Sequence, residues 1–292
     1  MKHLAIVNRR SGGVQSPQRL RSVLDQVERI ASKTVFTEHA GHARELAARS
    51  QGFDNLIVVG GDGTLLEALN GVDLERQRLS VVPIGRGNSL ARDLGLYPLS
   101  RSLAALHSGG GSRIDLMDVS FEDQNGTRHQ YLSGSTIALG YPASVVRVAG
   151  TRFRRLGVHC YTAAAACARP TTTSVKFLGD SSVEKPLTGL VINNTRHLAS
   201  FVALPDSCCR DGYFDVMEMS AGRIRQTLHN LSALSGLQFY NPVNLSGMTQ
   251  IALELSEPRD LMIDGELFPG VVALRVAIRP AAAEFMVVPQ RV

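Results

Sequence analysis

The chain has 292 residues and a formal net charge of +5, and 44% of its residues are hydrophobic. This length indicates one large or two moderate domains, with enough apolar residues to build a core. No run of about 18 or more apolar residues occurs, which argues against a membrane-spanning helix. The first ten residues lack the long apolar region of a signal peptide. We therefore expect a cytoplasmic protein.

The small excess of positive charge permits contact with an anionic surface such as acidic lipid. Nucleic-acid binding is not expected, because the chain has no Trp, few aromatic residues and no recognisable nucleic-acid module. The four cysteines show no CxxC spacing and are predicted to be free thiols. His39, His42 and Glu45 lie where a helix begins, and a solvated helix face is favoured over a metal cluster.

The first third of the chain alternates predicted strands and helices. Short apolar runs predict strands at residues 4–8, 34–37, 56–59 and 80–84. Helical spacing of apolar residues predicts helices at 17–30, 41–50, 65–69, 89–94 and 99–107. This alternation is typical of a parallel sheet with helices on both faces, which is a doubly wound, Rossmann-like fold.

A glycine-rich loop, GGDGT at residues 60–64, follows the third predicted strand and precedes a helix, with Thr64 expected as its N-cap. Glycines let the backbone approach a ligand closely, and free N–H groups at a helix start attract anions. Asp62 would repel a bare phosphate unless a divalent metal bridges the two. A glycine turn can also serve only to reverse the chain, but a second such loop occurs downstream.

That second loop, GRGN at residues 85–88, follows the fourth predicted strand. Arg86 could reach phosphate oxygens, or be an ordinary solvated arginine, and Asn88 can donate and accept hydrogen bonds. Loops 9–13 and 37–41 also follow predicted strands. Because ligands of such folds bind beyond the carboxyl ends of the strands, the four loops together predict a nucleotide site.

The second part of the chain is predicted to be an antiparallel β-rich domain. The stretch SGGGS at residues 108–112 is the predicted boundary or hinge. Strands are predicted at 114–121, 131–139, 174–178, 189–193, 213–219, 250–255, 260–263 and 271–278, with a hairpin turn at 123–126. The domains would span residues 1–112 and 113–282.

Two helical segments are predicted within this second domain, at residues 143–168 and 223–237. The first carries a cluster of arginines, Arg147, Arg152, Arg154 and Arg155. Ordinary core packing with a wet outer face is the usual explanation of such helices. Contact of the arginines with acidic lipid headgroups is the alternative.

The motifs that are missing narrow the chemistry. No Walker A lysine motif, GxSxG elbow, HExxH, kinase HRD loop or GxGxxG fingerprint occurs. Phosphoryl transfer fits what remains, because it needs donors for the phosphates, a magnesium ion and a carboxylate near the attacking hydroxyl. The glycine loops and Asp62 would supply the first two, and Asp115 and Glu266 are the candidates for the third.

In this order along the chain, the motifs resemble the diacylglycerol kinase catalytic-domain family of lipid kinases, which includes bacterial diacylglycerol kinase B, YegS-like, sphingosine and ceramide kinases. The resemblance covers nearly the whole chain. It rests on GGDGT at 60–64 with Glu67 and Asn70-Gly71, PxGxGNxxAR at 83–92, Ile114-Asp115, DGxxD at 211–215 and DGE at 264–266.

The resemblance implies an N-terminal NAD kinase-like nucleotide domain, a C-terminal lipid-binding domain and an active site in the cleft between them. It implies Glu266 as proton acceptor, Asp115 near the lipid hydroxyl, and Asp62 linked to magnesium. Residues implied to hold ATP are Asn8, Ser11, Gly12, Gly13, Thr37, Gly60, Gly61, Asp62, Gly63, Thr64, Leu65, Leu66, Glu67, Gly85, Arg86, Gly87 and Asn88. A structural magnesium is implied at Asp211, with the backbone carbonyls of Cys208 and Tyr213. A return of the tail, residues 283–292, to the first domain is compatible with this family.

The leading hypothesis is an ATP- and magnesium-dependent lipid kinase that phosphorylates a hydroxyl of a diacylglycerol-like or sphingoid lipid. It would act at the inner face of the membrane, where acidic lipid is a further partner. A homodimer is neither predicted nor excluded. An NAD kinase-like enzyme and a catalytically idle homologue that binds nucleotide or lipid are the alternatives. Arg86 is the reason to retain the idle homologue as an alternative, because the family usually has Thr or Ser at this position.

Overall fold

The structure is a computed structural model that describes residues 1–11, 17–108, 110–153, 160–179, 182–198, 202–203, 207–220 and 245–288. The chain divides into two compact units, Met1–Leu116 with Pro280–Val292, and Met117–Arg279. The division falls inside one long strand, Gly111–Asp123. Gly111, the last glycine of the predicted hinge, already belongs to this strand, whereas Gly110 precedes it.

The first unit contains a parallel sheet with strand order β2, β1, β3, β4. These strands are β1 His3–Val7, β2 Lys33–Phe36, β3 Asn55–Gly60 and β4 Arg78–Pro83. The helices of this unit are α1 Pro17–Glu28, α2 His42–Ala48, α3 Asp62–Leu69, α4 Ser89–Asp93 and α5 Leu99–Ser108. At its far edge, Phe285 pairs in parallel with Leu79 of β4.

The apolar strands of this sheet are covered on both faces. One face packs Val7, Ile57 and Val59 against α1 and α5 in a single buried cluster. The alternate residues of the same strands, such as Ile6 and Val58, are also fully buried. Burial of each aliphatic side chain stabilises the fold by about 1.5–3 kcal/mol. The strands are buried on both faces, as their unbroken apolar runs predicted.

The second unit is built from antiparallel strands. They are β5 Gly111–Asp123, β6 Arg128–Ser133, β7 Thr136–Gly140, β8 Thr173–Phe177, β9 Val183–Asn193, β10 His197–Leu198, β11 Val202–Ala203, β12 Phe214–Ser220, β13 Leu245–Met248, β14 Gln250–Ile263 and β15 Glu266–Met286. Both β5 and β15 run across the division between the units. The mixed helix and strand content, rich in sheet, agrees with the predicted fold class.

Two helices accompany these strands, α6 Tyr141–Thr151 and α7 Cys160–Cys167. The helical segment predicted over 143–168, with Gly150 and Gly157 expected to interrupt it, corresponds to these two helices, and residues 154–159 lie outside the described part of the chain. The helix predicted at 223–237 also lies outside it. Among the residues that the structure describes, no helix is both long enough and apolar enough to cross a membrane.

Three further predicted elements differ from the structure. The strand predicted over 131–139 ends at Ser133 and resumes at Thr136, because backbone N–H groups in between bond to a distant carboxylate. The strands predicted at 250–255 and 260–263 are one strand, β14, whose register shifts on both sides of Arg259. Pro258 lies in that irregular stretch, where a proline is tolerated because a ladder hydrogen bond is already missing.

Candidate active site

Thr64 does not cap helix α3 as expected, because the helix begins two residues earlier, at Asp62, with Gly61 as its N-cap. Thr64 is instead buried, and its Oγ1 accepts a hydrogen bond from Nδ2 of Asn8 at 2.9 Å. The Oδ1 atom of Asn8 accepts the N–H of Arg10 at 2.9 Å. Asn8 therefore ties the loop after β1 to the loop after β3 at the carboxyl edge of the sheet.

The two glycine loops pack directly on each other. A Cβ atom placed on Gly85 would lie 2.4 Å from the Cα atom of Gly61, and one placed on Gly60 would lie 2.6 Å from the Cβ atom of Thr64. A Cβ atom on Gly87 would lie 2.7 Å from Oδ2 of Asp62. Contact between the loops thus requires Gly85 and Gly87, and contact with Thr64 of the same segment requires Gly60. These reasons are separate from ligand approach.

Asp62 joins the loops through its carboxylate. Its Oδ2 accepts the N–H of Asn88 at 2.7 Å, and its Oδ1 accepts the N–H of Ser89 at 2.8 Å, both at the start of α4. Burial nevertheless raises the pKa of Asp62, and these amide bonds and the charge of Arg92 only partly offset that rise. The ionised carboxylate is therefore short of positive partners in this position.

That shortage suits a divalent cation. Each carboxylate oxygen has about two lone-pair sites, and the N–H groups of Asn88 and Ser89 use one on each oxygen. Magnesium binds through one or two carboxylates and otherwise keeps water or phosphate oxygens as ligands. Asp62 fits this role in chemistry and in charge, and its link to magnesium stays a prediction.

Asn88 closes the second glycine loop. It is in the left-handed region, with φ of 54°, and it is the N-cap residue of α4. Its Oδ1 accepts the N–H of Gly85 at 3.1 Å, and its Nδ2 donates to the carbonyl of Gly85 at 2.8 Å. Nε of Arg92 donates to the carbonyl of Gly87 at 3.0 Å. The side-chain amide of Asn88 therefore holds the loop that contains half-buried Arg86.

Glu67 has a contact that the sequence did not indicate. Its Oε1 accepts the N–H of Gly41 at 2.8 Å, and its Oε2 accepts the N–H of Ala43 at 3.0 Å. The carboxylate thus satisfies N–H groups at the start of α2, where negative charge is favourable. Its predicted contact with ATP stays a prediction, as does that of half-buried Thr37.

The remaining predicted nucleotide residues are distributed as follows. Ser11 ends the described part of the first loop, and its N–H donates to the carbonyl of Asn8 at 3.3 Å. Gly12 and Gly13 lie outside the described residues. Gly63, Leu65 and Leu66 belong to α3, where both leucines are buried. These leucines can approach a ligand only through their backbone.

Asp115 is buried in the first unit, with 3% of its surface exposed. Its Oδ1 accepts the N–H of Ala281 at 2.7 Å, which joins β5 to the last part of β15. This carboxylate therefore has a structural contact in addition to its predicted place near the lipid hydroxyl.

The DGE motif forms the turn between β14 and β15 in the second unit. Asp264 and Gly265 both have positive φ angles, 46° and 93°, as expected for an Asp-Gly hairpin turn. Oδ1 of Asp264 accepts hydrogen bonds from the hydroxyl of Ser133 and the N–H groups of Ser135 and Thr136, at 2.8–3.0 Å. Its Oδ2 accepts the N–H of Gly134 at 2.8 Å. The sequence did not reveal this anchor.

Glu266, the predicted proton acceptor, lies two residues beyond that anchor. It is exposed, begins β15 and pairs with Ile263 across the turn. An exposed carboxylate on a turn fixed by Asp264 can meet an incoming hydroxyl. Its function as a base stays a prediction.

The predicted structural metal site lies in a turn before β12. Oδ1 of Asp211 accepts the N–H of Tyr213 at 3.0 Å, and Gly212 between them has φ of 79°. Cys208 is an exposed free thiol, and Cys160, Cys167 and Cys209 are free as predicted. The magnesium predicted here stays a prediction.

The structure brings the ligand atoms of His39, His42 and Glu45 within 4.8 Å of one another. His39 and Glu45 are exposed, as the solvated face required. However, Nδ1 of His42 accepts the N–H of Glu38 at 3.0 Å, and the two imidazole rings stack with 7° between their planes. The Nδ1 lone pair of His42 is thus already used within the protein.

Comparison with known proteins supports the motif resemblance. Residues 2–119 match the sequence model of the diacylglycerol kinase catalytic domain. Diacylglycerol kinase of Bacillus subtilis is 25% identical over 290 residues, which cover 92% of each chain. Sphingoid long-chain bases kinase 1 of Arabidopsis thaliana is 36% identical over 134 residues, which cover 40% of this chain and 17% of that protein.

A solved structure agrees with the fold over the full length. The crystal structure of a diacylglycerol kinase from Bacillus anthracis str. Sterne superposes with a TM-score of 0.76 and 19% sequence identity. The superposition covers 99% of this chain and 97% of that chain. Residues 2–119 thus match the diacylglycerol kinase catalytic-domain family, the solved structure agrees in fold, and the resemblance predicted from the motifs is confirmed.

Proposed function

We propose that this protein is an ATP-dependent lipid kinase that transfers the γ-phosphoryl group to the hydroxyl of a diacylglycerol-like or sphingoid lipid. The observation that carries the proposal is the pairing of two glycine loops through Asp62, within the segment that matches the family. Phosphoryl transfer depends mainly on positioning and charge stabilisation. Rigid loops with a central carboxylate are suited to that task.

The loops of the first unit would hold the nucleotide. Backbone N–H groups of residues 60–64 and 85–88 would cradle its phosphates, and Arg86 would contact a phosphate oxygen. Asp62 would hold magnesium, which when bound neutralises charge on the phosphate oxygens. Asn8 and Asn88 would keep the loops in place through the bonds that they make to Thr64 and Gly85.

In the second unit, Glu266 would accept the proton of the lipid hydroxyl as that oxygen attacks the γ-phosphorus. The bond from the γ-phosphorus to the bridging oxygen breaks, and ADP leaves. Asp264 would position Glu266 by fixing the turn that precedes β15. The same proposal places Asp115 near the lipid hydroxyl and magnesium at Asp211. It also includes an NAD kinase-like arrangement of the nucleotide domain and action at the inner face of a membrane.

The direct test is transfer of labelled γ-phosphate from ATP with magnesium to lipids in mixed micelles. The panel would contain diacylglycerol, monoacylglycerol, sphingosine, ceramide and a polyprenol, with NAD as a separate acceptor. We expect one lipid class to be phosphorylated and the product to disappear in Asp62→Asn. Asp54→Asn is the matched control, since Asp54 lies at the opposite end of β3 and its carboxylate accepts the backbone N–H of Lys2 at 2.6 Å.

Two other results would overturn the proposal. Phosphorylation of NAD alone would assign the protein to the NAD kinases, which share the GGDGT motif. Binding of ATP without product on any acceptor would leave a catalytically idle homologue that binds nucleotide or lipid.

A further inference from the structure

The second unit contains a cavity of about 210 Å³ lined by three arginines. It lies between the start of α6, the chain before β8 and the irregular stretch of β14. Its charged and hydroxyl-bearing lining residues are Tyr141, Ser144, Arg147, Arg169, Thr171, Arg259 and Asp260. The proposed kinase function uses none of them.

Arg259 is largely buried, with 15% of its side chain exposed. Its Nη2 donates to the carbonyl of Thr172 at 3.0 Å and to Oε2 of Glu257 at 2.9 Å. Its Nε is buried and has no hydrogen-bond partner among the residues that the structure describes. A buried charged donor without a partner costs free energy, which an acceptor bound in the cavity would recover.

The charges around the cavity do not balance. Asp260 is its one acidic lining residue, and Oδ2 of this aspartate pairs with Nε of Arg147 at 3.2 Å. Arg169 is exposed, and its guanidinium adds a third positive charge. The lining therefore carries three positive charges against one negative charge, and Glu257, which pairs with Arg259 from outside the lining, reduces the excess to one positive charge. This excess favours an anion.

The start of α6 adds to this preference. Gly140 is the N-cap of this 11-residue helix and has no side chain to satisfy the first N–H groups. Gly140 and Tyr141 both line the cavity. Free N–H groups at a helix start, together with nearby arginines, are a common arrangement for binding phosphate.

The cavity is separate from the DGE turn. Gly140 ends β7, whereas Thr136 at its other end contacts Asp264. Four residues of strand separate the two positions, which corresponds to about 13 Å at about 3.3 Å per residue. A ligand of the cavity would therefore occupy a second site in this unit.

We propose that this cavity binds a phosphate group, either free or as part of a phospholipid headgroup. Its volume equals that of about seven water molecules at about 30 Å³ each, which is enough for a phosphate group with some water. Arg259 and Arg169 supply charged donors, and the hydroxyls of Ser144 and Thr171 supply neutral ones. Bound to a headgroup, the site would tether the protein to an anionic membrane.

The test measures binding of two probes to the full chain. One is inorganic phosphate, followed by isothermal titration calorimetry, and the other is sedimentation with phosphatidylcholine vesicles with or without phosphatidic acid. Arg169→Glu reverses one charge of the cavity at an exposed position, so the fold should be unaffected. Arg128→Glu is the matched control, because Arg128 is 86% exposed in the β5 to β6 hairpin of the same unit.

We expect Arg169→Glu to weaken binding at least tenfold and Arg128→Glu to change it less than twofold. Asp260→Asn should strengthen binding severalfold, because it removes the acidic group of the cavity. Loss of both probes in Arg169→Glu would indicate that free phosphate is sufficient, and loss of vesicle binding alone would indicate a lipid headgroup. The proposal fails if the wild type binds neither probe, or if Arg169→Glu and Arg128→Glu behave alike.

Discussion

Asp62 in the first unit and Asp264 in the second belong to family motifs, but their surroundings differ. Asp62 accepts two amide N–H groups, and burial raises its pKa, so its charge is only partly compensated. Asp264 accepts three amide N–H groups and one hydroxyl. The difference supports the proposal that Asp62 holds a cation, and that Asp264 anchors the turn before Glu266.

The largest effect should follow from Glu266→Gln. If Glu266 accepts the proton of the lipid hydroxyl, its loss should lower kcat by about 10²–10⁴-fold. The unfolding midpoint should stay unchanged, because Glu266 is exposed. Steady-state kinetics beside thermal unfolding would show both. Glu254→Gln, an exposed glutamate on the adjacent strand β14, is the control and should keep full activity.

If Glu266→Gln keeps its activity, the proton must be accepted elsewhere. The division of roles between Asp264 and Glu266 would then be wrong.

Asp264→Asn should act on stability first. The introduced NH₂ group would face amide donors that now bond to a carboxylate oxygen, so at least one donor in residues 133–136 loses its acceptor. We expect the free energy of unfolding to fall by about 1–3 kcal/mol, measured by urea denaturation. Ser133→Ala removes one of the four donors and should cost about 0.5–1.5 kcal/mol. Equal stability of Asp264→Asn and wild type would show that the contacts do not anchor the turn.

Asp62→Asn should lower the free energy of unfolding less than Asp264→Asn does. A raised pKa means that the folded protein favours the neutral form of Asp62 more than the unfolded chain does. This contribution to stability is complete below the unfolded pKa and is lost as the pH rises through the folded pKa. At neutral pH a neutral side chain should therefore cost less at position 62 than at position 264, although it removes activity. The reverse order of unfolding free energies would contradict this account.

Gly85→Ala tests whether the glycine loops depend on contact with each other. The added methyl group would meet Gly61 at 2.4 Å, so one loop must move away. We expect a loss of about 1–3 kcal/mol in unfolding free energy and a higher KM for ATP. Gly52→Ala is the control in the same unit, because nothing lies within 4 Å of its added methyl group. If both alanine variants behave alike, contact between the loops does not explain why glycine is needed at position 85.

Much of the structure of the first unit could be predicted because short runs of neighbouring residues determine its strands and loops. The run at residues 56–59 is apolar without interruption, and the structure forms β3 there with every residue buried. The glycine loops after β3 and β4 were predicted for the same reason. Contacts between distant residues could not be predicted in this way. Glu67 meets Gly41 across 26 positions, and no pattern near either residue indicates it.

The second unit shows this limit more strongly. The break between β6 and β7 exists because Gly134 and its neighbours bond to Asp264, which lies 130 residues away. Locally, residues 131–139 read as one strand. The sequence indicated that Asp264 belongs to a hairpin turn, but only the fold shows that its carboxylate also ends a strand.

The smallest expected effect concerns a third carboxylate, Asp123, at the exposed turn between β5 and β6. Like Asp264, it holds a hairpin, and its Oδ1 accepts the N–H groups of Asn125 and Thr127 at 2.9 and 3.0 Å. A hydrogen bond from His129 is the main cause that lowers the pKa of Asp123 below its ordinary value of 3.8, and the N–H of Thr127 adds to it. The resulting stability is present above the unfolded pKa and is lost as the pH falls through the folded pKa.

His129→Ala should therefore raise the pKa of Asp123 toward its ordinary value, which an NMR titration of the side-chain carboxyl carbon would detect. His107→Ala, in α5 of the other unit, is the matched control and should leave that titration unchanged. If His129→Ala has no effect, the amide bonds of the turn alone would set the pKa of Asp123. Asp264, which accepts backbone N–H donors, would then be the better model for how this fold fixes its acidic turns.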